Sequence, residues 1–357
     1  MRTDSYPQDA GFRIWTSSGS LTLQTVYTND LLNSAAGEFT ADVNSLSPGT
    51  TYYYQAFMTV SNGNGGYTVI VSNTIGSFTT TNNVPGVPTG WLELPSTTGS
   101  EDYVGVFYGS GGNTEDNRNY SYNYSYTYYA ALWTAYPLTT TLKTGNASTS
   151  SWRFNPNIDT SKQVSITKNS YGTMYGNDTY SRGHQCPNAD RKSDETMNLQ
   201  TYYATNQTPQ IQTNFNQGIW SSLEDAERAL VTSDNDVVYV VTGPAYRTVG
   251  GSETIQYLTG ASGKNANPTQ LPIPNYYWKA FLKVKRSGNT VTSASAIGFW
   301  FEHKTYTNDS YTNYAVSVDF IEQKTGFDLF TNLPGDKITG IEKTAESNAD
   351  WSTFQSF

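Results

Sequence analysis

The sequence predicts an α+β protein preceded by an all-β domain, and three observations support this. In residues 1–81, short apolar or aromatic runs alternate with turn residues, a spacing typical of a β-sandwich. Residues 91–357 combine strand-like runs with two segments of helical periodicity, which indicates strands with a few inserted helices. Residues 82–90, NNVPGVPTG, have the proline- and glycine-rich composition of a linker. We therefore expect two domains joined by a short linker.

The N-terminal runs show the period-two alternation of half-buried strands. They include FRIWTSS, LTLQTVYT, GEFTADV and YTVIVSNTIGSFTTT. The stretch LSPGTTYYYQAFMTV, followed by VSNTIGSFTT, resembles the C-terminal half of a fibronectin type III domain, where a tyrosine after PGT packs at a sheet corner. This resemblance implies a sandwich with its first strand or two truncated. Because sandwich folds host many functions, we expect a spacer or docking module without chemistry.

The second domain contains five strand-like runs and two helical patterns. The runs are YVGVFYG, AALWTAYPL, DVVYVVTG, YYWKAFLKVKR and SASAIGFWF, and the helical patterns are SDETMNLQTYYAT and NQGIWSSLEDAERALVTS. From Ile219 onward, apolar residues recur at helical spacing. The tract at 119–129, NYSYNYSYTYY, indicates an edge strand with its rings on one face. A platform for stacking nucleic-acid bases is the functional alternative for this tract.

Composition limits the chemistry that the chain can perform. It carries 21 Lys and Arg against 30 Asp and Glu, a formal net charge of −9, so any anionic partner must be held by a local basic patch. A single cysteine excludes a disulfide framework and a multi-cysteine zinc site. Two histidines exclude a three-histidine metal centre. Catalysis by histidine therefore has two candidates, His184 and His303.

The composition also suggests where the protein works. No run of about 18 apolar residues is present, which predicts no membrane span. The first residues, MRTDSYPQDAGF, do not have the pattern of a signal peptide. Aromatic and charged residues each make up 14% of the chain, a mix typical of β-rich proteins outside the cytoplasm. We expect a secreted or cell-surface protein, on the basis of composition alone.

One segment, YSRGHQCPNADR at 180–191, gathers residues suited to chemistry on a phosphate. Arg182 and Gly183 precede His184, and Asp190 and Arg191 follow it. Glycine allows the backbone to approach a ligand closely, and arginines suit a bidentate grip on phosphate oxygens. The pattern by itself leaves two readings open, a structural histidine and a catalytic one.

The string SRGHQCPNADR resembles the active-site motif of the DNA/RNA non-specific endonucleases, the ββα-metal (His-Me finger) nucleases of the Serratia nuclease and endonuclease G type. Further segments agree in order across about residues 118–335. They are LWTAYPL, YYATNQTPQ, FNQGIWSSLEDAERAL, VVYVVTGPAYR, LPIPNYYWKAFL, AIGFWFEH and DFIEQKTGFDLF. The resemblance implies hydrolysis of phosphodiester bonds in DNA and RNA to 5′-phosphate products, with Mg²⁺, or Mn²⁺ in its place, as cofactor.

The resemblance assigns four roles. His184 stands at the general base, and Arg182 at the arginine that contacts the scissile phosphate. Asn216, in FNQGIW, stands at the one protein ligand of the metal ion, and Glu224 at the acidic residue that positions a metal-bound water. Imidazole suits a base near neutral pH, and Mg²⁺ accepts one amide oxygen together with several waters. The absence of a second carboxylate cluster argues against a two-metal site.

The helical spacing constrains two of these roles. Asn216 and Glu224 would lie about 12 Å apart along the axis of an ideal helix that contained both. Direct ligation of one ion by both residues is then excluded. We therefore expect Asn216 at the N-terminal end of the helix and Glu224 to act through water.

Two departures from the family pattern concern the strength of the site. Ser181 replaces the usual aspartate of the motif, which removes a carboxylate that could orient Arg182. Ser150 occupies the place of an upstream family arginine, and Arg153 follows three residues later. We interpret the site as tuned or weakened, with Arg153 as a candidate to compensate by binding substrate.

Other residues in the matched region have both a functional and a structural reading. Asn206, in TNQTPQ, matches a family asparagine near the site, and a turn or hydrogen-bonding role is its alternative. Arg191 is a candidate for contact with the substrate backbone, against a capping or surface role. Cys186 is expected to pack in the core and His303 to end a strand.

The sequence thus predicts a metal-dependent endonuclease with little sequence preference, because contacts to phosphate and sugar carry no sequence information directly. DNA and RNA are the expected substrates. The alternative is an extracellular binding or adhesion protein whose nuclease fold has lost activity. Its motivation is Ser181, the missing upstream arginine and the appended sandwich domain.

Overall fold

The computed structural model divides the chain into two compact units, residues 1–85 and 86–357. It describes residues 7–16, 24–27, 51–61, 67–79, 91–96, 103–114, 117–167, 169–171, 179–233, 236–287, 290–333 and 347–357. The expected linker, 82–90, lies outside the described residues. In the described ranges, no helix is long and apolar enough to cross a membrane.

The first unit contains one antiparallel sheet with strand order β2-β1-β3-β4, and β5 also pairs with β3. Its strands are β1 (Pro7–Thr16), β2 (Gln24–Tyr27), β3 (Thr51–Ser61), β4 (Tyr67–Val71) and β5 (Gly76–Thr79). Side chains buried in this unit include Ala10, Ile14, Tyr52 and Phe57. A sandwich needs a second sheet, and the PGT of the fibronectin-like stretch lies outside the described residues. The fibronectin type III-like sandwich stays a prediction.

The second unit is built on an antiparallel sheet of seven strands in the order β18-β17-β16-β13-β8-β7-β6. In chain order these are β6 (Tyr103–Tyr108), β7 (Arg118–Ser125), β8 (Ala130–Thr139), β13 (Val237–Ala245), β16 (Tyr276–Ser287), β17 (Thr290–Glu302) and β18 (Ala315–Val316). The five strand-like runs of this region all fall in these strands.

Within the described ranges, five helices and three small strand pairs accompany the large sheet. The helices are α1 (Thr140–Lys143), α2 (Glu195–Gln200), α3 (Ile219–Ala229), α4 (Val318–Thr325) and α5 (Trp351–Ser356). The pairs are β9 (Tyr180–His184) with β10 (Gln207–Ile211), β11 (Thr213–Asn214) with β12 (Gln217–Gly218), and β14 (Gln256–Thr259) with β15 (Gln270–Ile273). The result is a strand-rich mixed α/β fold with few helices.

The central strands are buried on both faces, which explains their nearly continuous apolar sequences. In β13, Val238 and Val240 join one buried cluster, and Tyr239 and Val241 join another. The first cluster includes residues of α3 and α5, and the second includes residues of α4. The sheet therefore lies between two layers of helices, with α3 on the first face.

The tyrosine tract corrects one expectation. It forms β7, which pairs with both β6 and β8 and is therefore not an edge strand. Tyr120, Tyr122 and Tyr124 are each at most 2% exposed, so they cannot stack on nucleic-acid bases. Alternation along the strand does place the three rings on one face, but that face lies in the core.

Candidate active site

The motif 180–191 begins in the antiparallel hairpin β9/β10. His184 is the last residue of β9 and pairs with Gln207, and Arg182 pairs with Pro209. Because strand residues two apart share a face, Arg182 and His184 project to one side of β9, and Ser181 and Gly183 to the other. The chain reaches β10 through α2, and α3 follows shortly after β10.

His184 has an aromatic environment that the sequence did not predict. Its imidazole centroid lies 4.9 Å from the ring of Trp152 and 4.8 Å from that of Tyr202. The Nε2 atom is buried and has no hydrogen-bond partner. Burial lowers the pKa of His184 to about 4, so the imidazole is neutral at physiological pH. The ring can therefore accept a proton.

Arg182 is half-buried, and its guanidinium carbon lies 5.3 Å from the centroid of the Trp152 ring. Trp152 therefore contacts both the arginine and the histidine of the motif. The guanidinium keeps its positive charge, and its planar fork of donors suits phosphate oxygens.

Asn216 precedes α3, which begins at Ile219. Its side-chain Nδ2 donates a hydrogen bond to Oε1 of Gln210 on β10, and its backbone N–H donates to the carbonyl of Ile211, at 2.9 Å. Since the Gln210 contact uses the amide nitrogen, Oδ1 is the atom that can face a cation. The helix does not include Asn216, as expected.

Gly183 has a different function from the one its position in the motif suggested. A Cβ at this position would overlap the side-chain amide of Gln210. The absence of a side chain at Gly183 therefore leaves room for the Gln210 side chain, which lies over Gly183 and bonds Asn216. Close approach of a ligand, the role expected from the motif, is not the role of this glycine.

Glu224 lies in the second turn of α3 and is half-buried. Burial raises the pKa of Glu224 to about 7, and the ammonium of Lys279 opposes this rise. A carboxyl with a pKa near neutrality can exchange a proton with water near neutral pH. Such perturbed groups concentrate at functional sites.

A layer of buried charge lies on α3 and the strands beneath it. Lys279 and Glu227, both 0% exposed, form an ion pair at 2.7 Å, and the Tyr136 hydroxyl donates to Glu227 at 3.0 Å. Burial alone would lower the pKa of Lys279, but the carboxylates of Glu227, Glu224 and Asp190 together outweigh it, and the pKa is raised. Asp190, also buried, pairs with Arg228 at 2.9 Å. The first pair joins α3, the helix that carries Glu224, to the sheet, and the second joins it to the turn that follows His184.

The structure corrects the expected role of Arg191. The side chain is 0% exposed, and its guanidinium donates to Oδ1 of Asn119 at 2.6 Å and to the backbone carbonyls of Asn119, Pro137 and Asp190. Because its donors are directed into the protein, Arg191 cannot contact a nucleic-acid backbone. It joins the motif to β7 and β8.

Asn206 is likewise buried, at 0% exposure. Its Oδ1 accepts from the backbone N–H of Cys186 at 2.9 Å, and its Nδ2 donates to the carbonyls of Cys186 and Thr201. These bonds hold the turn that follows His184. The hydrogen-bonding alternative describes Asn206, and direct contact with substrate does not.

The remaining candidates have clear positions. Arg153 is half-buried beside Trp152, and its backbone N–H donates to the carbonyl of Tyr202 at 3.1 Å. Cys186 is fully buried in the core, where burial raises the pKa of its thiol to about 12, as expected for a packing residue. His303 directly follows β17, as expected, and bonds through both ring nitrogens.

Sequence reasoning missed Trp152, Tyr202 and Gln210. Gln210 belongs to the TNQTPQ segment and could have been found by asking what fixes the amide of Asn216. Trp152 lies directly before Arg153, but nothing local indicates that its ring contacts His184. That contact depends on how the 149–155 segment packs against residues 202–204.

The donor set fits a single metal ion with few protein ligands. Among the residues that the structure describes, no group of three or more His, Cys, Asp and Glu could hold a metal ion. An oriented amide oxygen on half-buried Asn216 is a hard, neutral ligand, which suits Mg²⁺ that retains most of its waters.

Comparisons with known proteins identify the family of the chain. The family model for DNA/RNA non-specific endonucleases matches residues 101–336. The chain belongs to this family, which confirms the resemblance. A nuclease of Serratia marcescens is 30% identical over 210 residues, 58% of this chain and 70% of that protein. Nuclease 1, mitochondrial, of Schizosaccharomyces pombe is 33% identical over 165 residues, 45% of this chain and 49% of that protein.

One solved structure shows the shared fold. A chain from the crystal structure of the EndoG/EndoGI complex aligns with a TM-score of 0.50 at 19% identity, over 64% of this chain and 86% of that one. The chain spans about half the length of some curated relatives, 49% of the fission-yeast protein and 59% of a nuclease from Nostoc.

Proposed function

We propose that this protein is a metal-dependent endonuclease that hydrolyses phosphodiester bonds of DNA and RNA to 5′-phosphate products. The observation that carries this proposal is the buried, unpartnered Nε2 of His184 in a chain of the DNA/RNA non-specific endonuclease family. We further propose that β9, β10 and α3 are the ββα-metal unit of that family.

His184 acts as the general base. Its neutral imidazole takes a proton from a water molecule while the water oxygen forms a bond to phosphorus. The bond from phosphorus to the 3′ oxygen breaks, and that oxygen leaves with a proton from solvent. The low pKa of His184 keeps the ring unprotonated over the neutral pH range.

Arg182 neutralises the charge that builds up on the phosphoryl oxygens, because a guanidinium can donate two parallel hydrogen bonds to them. Asn216 would hold the metal ion through Oδ1, with Gln210 fixing the amide. When bound, such an ion neutralises charge on the phosphate and on the departing oxygen. Glu224 holds and orients water near the ion, and Mg²⁺, or Mn²⁺, is the cofactor we propose.

Substrate contact beyond the scissile phosphate falls to Arg153. It is half-buried and adjoins Trp152, whereas Arg191 and Asn206 are fully buried. Ser181, in place of the family aspartate, lies on the opposite face of β9 and its hydroxyl donates to the Gln210 carbonyl at 3.3 Å. Ser181 therefore replaces a charge with a bond to the strand that carries Gln210.

The net charge of −9 confines the nucleic-acid contact to a local basic patch. Affinity from such a patch falls as salt rises, by about one power of salt for each phosphate contact. We predict a log–log slope of KM against salt concentration of about 2, with Arg153→Ala reducing it by roughly 1. A slope unchanged in Arg153→Ala would remove Arg153 from the contact.

The test of the proposed function is cleavage of supercoiled plasmid and of single-stranded RNA with Mg²⁺ and with chelator. Metal-dependent degradation of both supports the proposal. Asn216→Ala should abolish it at Mg²⁺ concentrations that saturate the parent, and the matched control Asn313→Ala, at an exposed position of a short 3₁₀ helix, should not. Binding of both nucleic acids without cleavage would favour the alternative, an extracellular binding or adhesion protein with an inactive nuclease fold.

We propose an extracytoplasmic location, secreted or at the cell surface, on the basis of the low charged and high aromatic content. The names of some relatives are mitochondrial, so fractionation of the source cells is the test. We also propose that residues 1–81 are a fibronectin type III-like module, 82–90 a linker and 91–357 the nuclease domain. Activity of a 91–357 fragment equal to that of the full chain would support this division.

A further inference from the structure

Trp152 contacts both of the motif side chains proposed to react, His184 and Arg182. Its ring is 4.9 Å from the imidazole of His184, tilted by 39°, and 5.3 Å from the guanidinium carbon of Arg182. Tyr202 closes the group, with its ring 5.1 Å from Trp152 and 4.8 Å from His184. The four side chains form one continuous contact, which we call the Trp152 stack.

The backbone on both sides of Trp152 is anchored to the rest of the domain. Before it, the Thr149 N–H donates to Oδ1 of Asn198 at 3.0 Å. After it, the Arg153 N–H donates to the Tyr202 carbonyl at 3.1 Å, and the Arg153 carbonyl accepts from the Ala204 N–H at 2.8 Å. Because both flanks are bonded, the indole has little freedom to leave the imidazole.

Tyr202 is held as well. Its hydroxyl accepts a hydrogen bond from Nδ2 of Asn188, at 3.2 Å, in the short turn that follows the motif histidine. The Trp152 stack therefore connects three segments of the chain at the side of His184. Trp152 is half-buried and does not belong to the large buried cluster on the α3 face of the sheet. Packing in that core therefore does not explain why the backbone around it is anchored.

We propose that Trp152 is a positioning residue for the reaction of the proposed nuclease: it fixes the plane of the His184 imidazole, shields it from water, and aligns the Arg182 guanidinium beside it. This inference rests on the proposed function, in which His184 is the base. Aromatic rings are suited to this because they pack against a neutral imidazole on one side and attract a cation to the other.

The groups that face the imidazole determine what removal of the indole does. Trp152 and Tyr202 are in ring contact with it, Arg182 lies against the same indole, and Arg153 follows Trp152 in the chain. Of these, the indole and the phenol exclude water, and the two arginines carry positive charge. Water admitted in place of the indole would stabilise the imidazolium.

The experiment compares Trp152→Leu, which removes the aromatic ring, with Trp152→Phe, which keeps one. Trp300→Leu, a half-buried tryptophan that contacts Tyr276 and Phe320, is the matched control. For each variant, kcat and KM on plasmid are measured. Imidazole nitrogen shifts are followed by NMR against pH in the metal-free protein, where two histidines give two pairs of nitrogen signals and His303 serves as internal reference.

We expect Trp152→Leu to lower kcat roughly 10- to 100-fold with KM within a few-fold, the size of effect that misplacement of a reactive group produces. Its His184 signal should titrate closer to the ordinary histidine value of about 6.5, with His303 unchanged. Trp152→Phe should recover most of both properties, and Trp300→Leu should resemble the parent.

A Trp152→Leu variant with parental kcat and an unchanged His184 titration would overturn the inference. So would a lower kcat with an unchanged His184 titration, because Trp152 would then act on the substrate alone. If the parent itself cleaves neither substrate, the proposed function fails, and the NMR titration still decides whether Trp152 shields His184.

Discussion

The surroundings of the two histidines, His184 and His303, are alike in most respects and differ in one. Each histidine ends a strand or directly follows one, each contacts aromatic rings, and burial lowers the pKa of each to about 4. The Nδ1–H of His303 donates to the Pro274 carbonyl at 2.9 Å, and its Nε2 accepts from the Ile211 N–H at 2.8 Å. The Nε2 of His184, by contrast, has no partner.

The difference shows that a depressed pKa alone does not mark a base. Both rings are neutral at pH 7, but His303 uses one nitrogen to join the end of β17 to Ile211 of β10 and the other to bond the Pro274 carbonyl ahead of β16. A buried polar atom without a partner is costly, so it persists where a substrate or water completes it. Unused hydrogen-bond capacity, and not basicity, separates His184, the proposed base, from His303.

The largest expected effect separates the two histidines by activity. His184→Ala should lower kcat by roughly 10²–10⁴-fold, the usual contribution of a general base. His303→Gln, which can still accept a hydrogen bond, should cleave at close to the parental rate. Steady-state plasmid cleavage at pH 7.5 measures both, and parental activity in His184→Ala would contradict the assigned base.

The second expected effect is a pH dependence of stability to which both histidines contribute. Because the folded pKa of about 4 lies below the unfolded value of about 6.5, the unfolded chain binds more protons between these values. Each histidine thus contributes stability that is present above pH 6.5 and lost as pH falls to 4. The free energy of unfolding of the parent minus that of His184→Ala should fall by up to about 3 kcal/mol over this window, and His303→Phe should give the same sign.

The parent must be compared with each variant because the titration of Glu224 changes the free energy of unfolding with pH in the opposite direction. Burial raises its pKa to about 7, so its contribution is present below about pH 4.5 and lost as pH rises through 7. Urea unfolding at several pH values, parent against variant, isolates each histidine. A difference that does not change between pH 7 and 4 would contradict the burial assigned to that ring.

The smallest expected effect concerns the hydrogen bonds of His303. His303→Phe leaves the Ile211 N–H without its acceptor and should lower the free energy of unfolding by about 1–3 kcal/mol. His303→Gln retains an acceptor and should cost less. Urea unfolding at pH 7 measures both, and equal stability of the parent and His303→Phe would show that these bonds do not support β10.

Several features of the fold could be predicted from local sequence. The runs later found as β6, β8, β13, β16 and β17 were recognisable because their apolar side chains are contiguous, and α3 begins at the residue where the helical spacing starts. The tyrosine tract was misplaced because alternation shows that rings share a face, but not whether that face meets solvent or the core. The pairing of β7 with strands on both sides places the tract inside the sheet and not at its edge.

Part of the site was also predictable, because local spacing fixes which side chains share a face of a strand. Arg182 and His184 share a face of β9 because they are two residues apart, which any strand guarantees. Arg191 looked like a phosphate ligand because its charge is visible in the sequence, whereas its burial against Asn119 is not. The motif suggests that Gly183 leaves space for a ligand, but the side chain of Gln210 from the neighbouring strand occupies that space.

By itself, the sequence determined the residue types and local order of the site: the motif around His184, the apolar stripe of α3, and the family to which the chain belongs. Only the tertiary structure decided which of these groups keep an unused hydrogen-bonding atom and which are satisfied or buried. The physical reason is that burial and hydrogen-bond partners come from segments distant in the chain, such as Trp152 against His184 and Ile211 against His303. The properties of both histidines depend on these long-range contacts, which the sequence around each histidine does not indicate.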